Sequence, residues 1–139
     1  MTMENEIILT ELDYLRLSSL IYRLLDERNQ NIRELNFLNI EIKTAKKVAP
    51  KKIKPDFVTM DSSIEVTILE TGKTIELKLV YPHDANHEDG QISVLSSLGC
   101  ALLGAKVGDS ISYRISGGTQ TVRIGKVLFQ PEANGVDLI

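Results

Sequence analysis

Tryptophan is absent from this 139-residue chain, cysteine occurs once and histidine twice. Each scarcity excludes something. Cys100 alone cannot close an intramolecular disulfide or supply the thiolates of a zinc cluster. Lying in the apolar run Leu98–Leu103, it reads as a small buried hydrophobe. Aromatic residues make up 5% of the chain, few for a pocket with aromatic walls. Charge of one sign is lacking too: the formal net charge of -3 is too small to call for a nucleic-acid partner by itself. No apolar stretch approaches the roughly 18 residues of a membrane span. Residues 1–10 show no basic segment followed by an apolar one, so no signal peptide and no membrane association are expected, and the expected compartment is the cytoplasm. What is present, 42% hydrophobic and 25% charged residues, is the mixture of a globular protein, one domain or a small domain with an appendage.

Residues 10–48 carry a helical period. Thr10 suits an N-cap, with Asp13 three positions later as a variant of the capping box. Leu17, Leu20, Ile21, Leu24 and Leu25 recur at helical spacing among polar residues. The stretch from Asp26 to Asn31 is wholly polar and suits a turn. Ile32, Leu35, Leu38, Ile42 and Ala45 then fall on one face of a second helix. Two narrow stripes and a short polar connection imply an antiparallel helical hairpin, a short coiled coil spanning 1–48. Two separate surface helices are the alternative.

Lys46–Asp56 contains two prolines and five lysines, which bars a continuous helix; residues 49–56 read as a linker. A phosphate-binding patch is the other reading, and no aromatic residue interleaves the lysines in its support. From Phe57 onward the period becomes two. Ile64, Val66 and Ile68 pair with Ile75, Leu77 and Leu79 across the turn Glu70-Thr71-Gly72-Lys73. A short strand at Ile92 and Val94 precedes a small helix over Ser96–Leu103, stopped by Gly104. Ile111, Tyr113 and Ile115 lead through Gly117-Gly118 to a closing strand with Val122, Ile124, Val127 and Phe129. Gly125 interrupts its alternation, as a β-bulge does. The expected fold class is α+β: the hairpin followed, over 57–139, by a mostly antiparallel sheet with one short helix.

Separated blocks of this second region resemble the C-terminal domain of the Gre transcription elongation factors, an FKBP-like fold. They are Gln91-Ile92-Ser93-Val94-Leu95-Ser96-Ser97, Ala101-Leu102-Leu103-Gly104, Val107-Gly108-Asp109 and Ser116-Gly117-Gly118. Val58-Thr59-Met60-Asp61-Ser62, Leu79-Val80-Tyr81-Pro82, Ala101–Ile111 and Phe129–Gly135 further resemble the Gre branch named for regulation of nucleoside diphosphate kinase.

The resemblance implies a partner, RNA polymerase, gripped at the rim of its secondary channel, with nucleic acid contacted at most indirectly. In Gre factors a coiled coil ends in two acidic residues that help the polymerase hold a second Mg²⁺ for transcript cleavage. Asp26 and Glu27 occupy the corresponding tip here. Each helix of about 14–16 residues spans only roughly 21–24 Å, about half the Gre coil, so these carboxylates are expected to stop short of the metal. The implied protein is a monomeric regulator that competes with Gre-type factors without stimulating cleavage. It is expected to be no enzyme and to carry no cofactor or metal. Where Gre factors have Ser-Pro before the short helix, this chain has Ser96-Ser97; Ser96, Ser97, Leu98 and Gly99 are the expected polymerase-binding edge. Three alternatives stand beside this reading. They are a true cleavage factor using Asp26 and Glu27, a prolyl isomerase built on Phe57, Tyr81, Tyr113 and Phe129, and a metal site in the loop holding His83 and His87.

Overall fold

Thr10 marks where strand gives way to helix. In the computed structural model, which describes residues 7–27 and 32–138, β1 (Ile8–Thr10) leads directly into α1 (Glu11–Asp26). Thr10 keeps extended backbone, and its hydroxyl accepts the Asp13 N–H at 3.0 Å, satisfying one of the donors that a helix start leaves open. Helix α2 (Ile32–Thr44) returns the chain to β2 (Lys46–Val48), which pairs in parallel with β1, Ile8 opposite Lys46. The two helices have 16 and 13 residues, hence lengths of about 24 and 20 Å.

The stripes meet as their spacing requires. Leu17, Leu20 and Ile21 of α1 and Leu35, Leu38 and Ile42 of α2 are buried. They are not sealed within the hairpin: all but Leu20 belong to the same apolar cluster as Val58, Met60, Ile64 and Leu79. The root of the hairpin therefore draws stability from the sheet's core, each such side chain contributing on the order of 1.5–3 kcal/mol by leaving water.

The sheet has the order β5-β4-β3-β7-β6. Strands β3 (Ser63–Ile68) and β4 (Lys73–Val80) form the expected hairpin; β5 (Gln91–Ser93) joins β4 in parallel. After α3 (Ser97–Leu102), β6 (Ser110–Ile115) and β7 (Gly118–Phe129) complete it, with β7 against β3. Alternation puts Ile64, Val66, Val122 and Ile124 inside. Glu65 faces Lys126 while Val66 faces Ile124, so Gly125 is the extra residue of a bulge, at the position where the alternation breaks.

Two joints fasten the hairpin to the sheet domain. Gly104 ends α3 with φ +79°, its carbonyl accepts the Ile8 N–H at 3.2 Å, and a Cβ there would fall 2.3 Å from the Ile7 methyl. Residues 49–56 form the other joint. Pro50–Lys52 is a 3-10 turn, Pro50 and Ile53 are buried, and the Gln130 amide donates to the carbonyls of Lys54 and Phe57, each at 2.8 Å. The two apolar residues set among the lysines give this segment something to bury.

Candidate functional site

Between α2 and the α3–β6 side of the sheet lies an open groove of about 710 Å³. Arg33, Phe37 and Glu41 form one wall; Leu95, Ser96, Ser97 and Cys100 begin the other, which continues into Ile111, Tyr113 and Arg114. Apolar side chains and charges of both signs line it together. Cys100 is no nucleophile here: burial pushes its thiol up to about 12, so it stays protonated at neutral pH.

The four residues expected at the binding edge divide in two. Ser96 and Ser97 line the groove. Leu98 is half-buried against the core and Gly99 is buried. Both serine hydroxyls take part in internal hydrogen bonds. Ser96 caps α3, its oxygen accepting the Gly99 N–H at 3.0 Å while its hydroxyl donates to the Ser93 carbonyl at 2.7 Å. Ser97 accepts the Arg114 N–H at 3.0 Å, tying α3 to β6. Gly99 has a steric reason to be glycine: a Cβ would sit 1.9 Å from the Ser93 carbonyl oxygen. The Ser96 hydroxyl is thus fully used within the loop, whereas Ser97, on an exposed position, keeps its O–H proton for an outside acceptor.

At the far end of the hairpin, Asp26 closes α1 and Glu27 caps it, its N–H donating to the Leu24 carbonyl at 3.3 Å. Both side chains are exposed. The remainder of the polar turn, residues 28–31, lies outside the described residues. His83 and His87 sit on successive 3-10 turns, Pro82–Asp84 and His87–Asp89. His83 stacks on Tyr81 and approaches the Asp84 carboxylate at 3.3 Å. Among the described residues no group of three or more His, Cys, Asp or Glu is placed to hold a metal ion. Of the four aromatics considered for an isomerase pocket, only Tyr113 lines the groove, and its hydroxyl donates to the Gln120 side chain.

Sequence reasoning missed a third feature, a polar knot where α1 meets the body. Asp13 is fully buried, and instead of completing a capping box its carboxylate accepts the Met60 N–H at 3.0 Å. Burial lifts its pKa to about 7; the Met60 bond opposes that shift, and nearby Glu132 and Asp137 add to it. Glu132, also raised chiefly by burial, accepts the Thr59 hydroxyl at 2.7 Å. Arg16 grips Asp137 through two bonds of 3.1 and 3.2 Å. Helix α1, the lead-in to β3 and the C-terminal tail are thereby tied together. The sequence signals were the blocks Val58–Ser62 and Phe129–Gly135, which carry the resemblance without a role, and Asp13, read there as part of a helix cap.

The comparisons with known proteins bear on the whole of this architecture. Residues 52–129 match the family described as "Transcription elongation factor, GreA/GreB, C-term". A regulator of nucleoside diphosphate kinase from Escherichia coli (strain K12) is 37% identical over 99 residues, 70% of this chain and 73% of the relative. A transcription elongation factor GreA from Acidiphilium cryptum is 32% identical over 88 residues, 63% of this chain and 56% of its own length. Among solved structures, a prokaryotic transcription elongation factor GreA/GreB from Nitrosomonas europaea superposes with a TM-score of 0.73 at 32% identity, covering 91% of this chain and all of that one. No described helix is long and apolar enough to cross a membrane. With the helices leading, the five-stranded sheet following and the matched stretch running from the end of the lysine segment through β7, the chain belongs to the GreA/GreB family of transcription elongation factors.

Proposed function

We propose that this protein is a transcription regulator that binds RNA polymerase near its secondary channel and competes there with Gre-type factors, without stimulating transcript cleavage and without catalysis of its own. The observation that carries this reading is the length of the hairpin. Helices of 16 and 13 residues give an arm of about 20–24 Å, half of what the Gre resemblance implies for a cleavage-competent coil. A carboxylate ligates Mg²⁺ only at about 2.0–2.1 Å from the ion, so a shortfall of several ångströms removes Asp26 and Glu27 from the metal altogether. The groove between α2 and α3, with Ser96 and Ser97 on its wall, is the proposed docking surface; Leu98 and Gly99 hold its shape from behind. The segmentation that goes with this reading is an arm over 1–48, a connecting stretch over 49–56 and a gripping domain over 57–139.

Competition binding tests it. Core RNA polymerase is titrated with a labelled Gre factor in the presence of the full chain, and the chain is expected to displace the label. No displacement and no direct binding at tens of micromolar would remove the proposal. The second reading, a genuine cleavage factor, rests on the exposure of Asp26 and Glu27 at the end of α1. It predicts cleavage that Asp26→Ala abolishes.

A further inference from the structure

We infer that the lysine segment from Lys43 to Lys54 is a contact surface for the phosphate backbone of double-stranded DNA. Six lysines fall in these twelve positions: Lys43, Lys46, Lys47, Lys51, Lys52 and Lys54. They carry +6 of a chain whose net charge is -3, so the remaining residues sum to -9. Five are exposed; the sixth, Lys47, is half-buried, donating to the Lys43 carbonyl at 2.7 Å and lying 4.7 Å over the Tyr14 ring. Although the chain has 19 acidic residues, none of these ammonium groups is ion-paired among the described residues.

A run of charge in a loose linker is sufficiently explained by solvation. This run is held: by the pairing of β2 with β1, by burial of Pro50 and Ile53, and by the Gln130 amide on the Lys54 carbonyl. Fixing like charges along a short path on an otherwise acidic molecule costs free energy through their mutual repulsion, and a polyanion offsets that repulsion. Double-stranded DNA presents one charge per about 1.7 Å of axis, dense enough to meet several closely spaced exposed cations without demanding any base contact. Single-stranded nucleic acid is bound through aromatic stacking platforms interleaved with the cations, and this segment contains no aromatic residue. The expected binding is sequence-independent.

The test uses the free full chain with no polymerase, so its outcome is independent of the docking proposal. A fluorescein-labelled 30-base-pair duplex is titrated at several salt concentrations, with a single-stranded RNA and poly-glutamate as competitors. Binding at low salt is expected, with a slope of log K against log salt of about -4 for four to five lysine contacts. Lys51→Glu with Lys52→Glu should lower affinity at least tenfold and flatten the slope by about two. Arg123→Glu with Lys126→Glu makes the same change in net charge on exposed positions of β7 and should leave affinity within about threefold. All four positions are exposed, and circular dichroism confirms folding of each variant. The inference is overturned by no binding at low salt, by equal losses in the two double variants, or by RNA or poly-glutamate competing as well as unlabelled duplex.

Discussion

Asp13 is the residue whose chemistry the fold strains most. Its carboxylate is buried with one oxygen on the Met60 N–H and the other unpartnered among the described residues, and its pKa stands at about 7. In the unfolded chain an aspartate titrates near 3.9. Between those values the folded state binds the proton and the unfolded state does not. The contribution of this group to stability is therefore complete below about pH 4 and is lost as pH rises through about 7. The full swing is about 4 kcal/mol as an upper bound. Asp13→Asn keeps an acceptor for Met60 and cannot ionise. Urea unfolding should find the variant close to wild type near pH 4.5 and more stable than wild type at pH 8. A constant difference between the two across that range would contradict the assignment. Gly99→Ala acts on the same scale by sterics: its Cβ meets a backbone carbonyl at 1.9 Å, so α3 must move, a loss of about 1–3 kcal/mol or more. Thermal unfolding reads it directly. The two residues differ in legibility. A glycine inside a small apolar helix is visible in the sequence, though its close neighbour is not. Asp13 imitates a capping residue because it stands three positions after Thr10, while its actual partner lies 47 positions away, beyond any local pattern.

Among the elements, the hairpin was the most readable, because leucines at helical spacing leave few other packings. Burial follows the stripe through Leu17, Leu20, Ile21, Leu35, Leu38 and Ile42. The continuity of that stripe with Val58 and Met60 was not readable, since it depends on how the chain turns at residues 49–56. There the lysines suggest a wet connecting stretch, and which of its residues bury, Pro50 and Ile53, is set by the surrounding body. Leu38→Ala, at a fully buried position, should cost about 2–5 kcal/mol by urea denaturation and destabilise sheet and hairpin in one transition, because they share a core. Separate transitions for helix and sheet would show that they do not. Helix α3 offers a gain-of-function counterpart. Ser97 is its first residue, where proline is well tolerated. The substitution Ser97→Pro removes the acceptor for the Arg114 N–H, a loss of about 1 kcal/mol, and restores the Ser-Pro of the Gre resemblance. Tighter binding to core polymerase in a competition titration is expected; unchanged or weaker binding would move the docking surface away from this loop.

For the whole molecule, the proposed function rests on the relation between arm and body. The body has the sheet fold of the GreA/GreB relative, while the helices of the arm end at about 24 Å. The family was legible because its blocks include turns and strand ends, where Gly104, Gly108 and Gly117 hold positive φ. The candidate site was legible only in part: the loop at Ser96 and Ser97 could be named, but the α2 wall carrying Arg33, Phe37 and Glu41 appears only when the hairpin is laid beside the sheet. The account therefore turns on whether this shorter arm performs cleavage. The most direct measurement takes a stalled elongation complex with Mg²⁺ and follows the transcript's 3′ end after adding the full chain, alone and together with a Gre cleavage factor. No shortening by the chain alone, and a dose-dependent block of shortening by the Gre factor, are predicted. Shortening by the chain alone that disappears with Asp26→Ala would contradict the account.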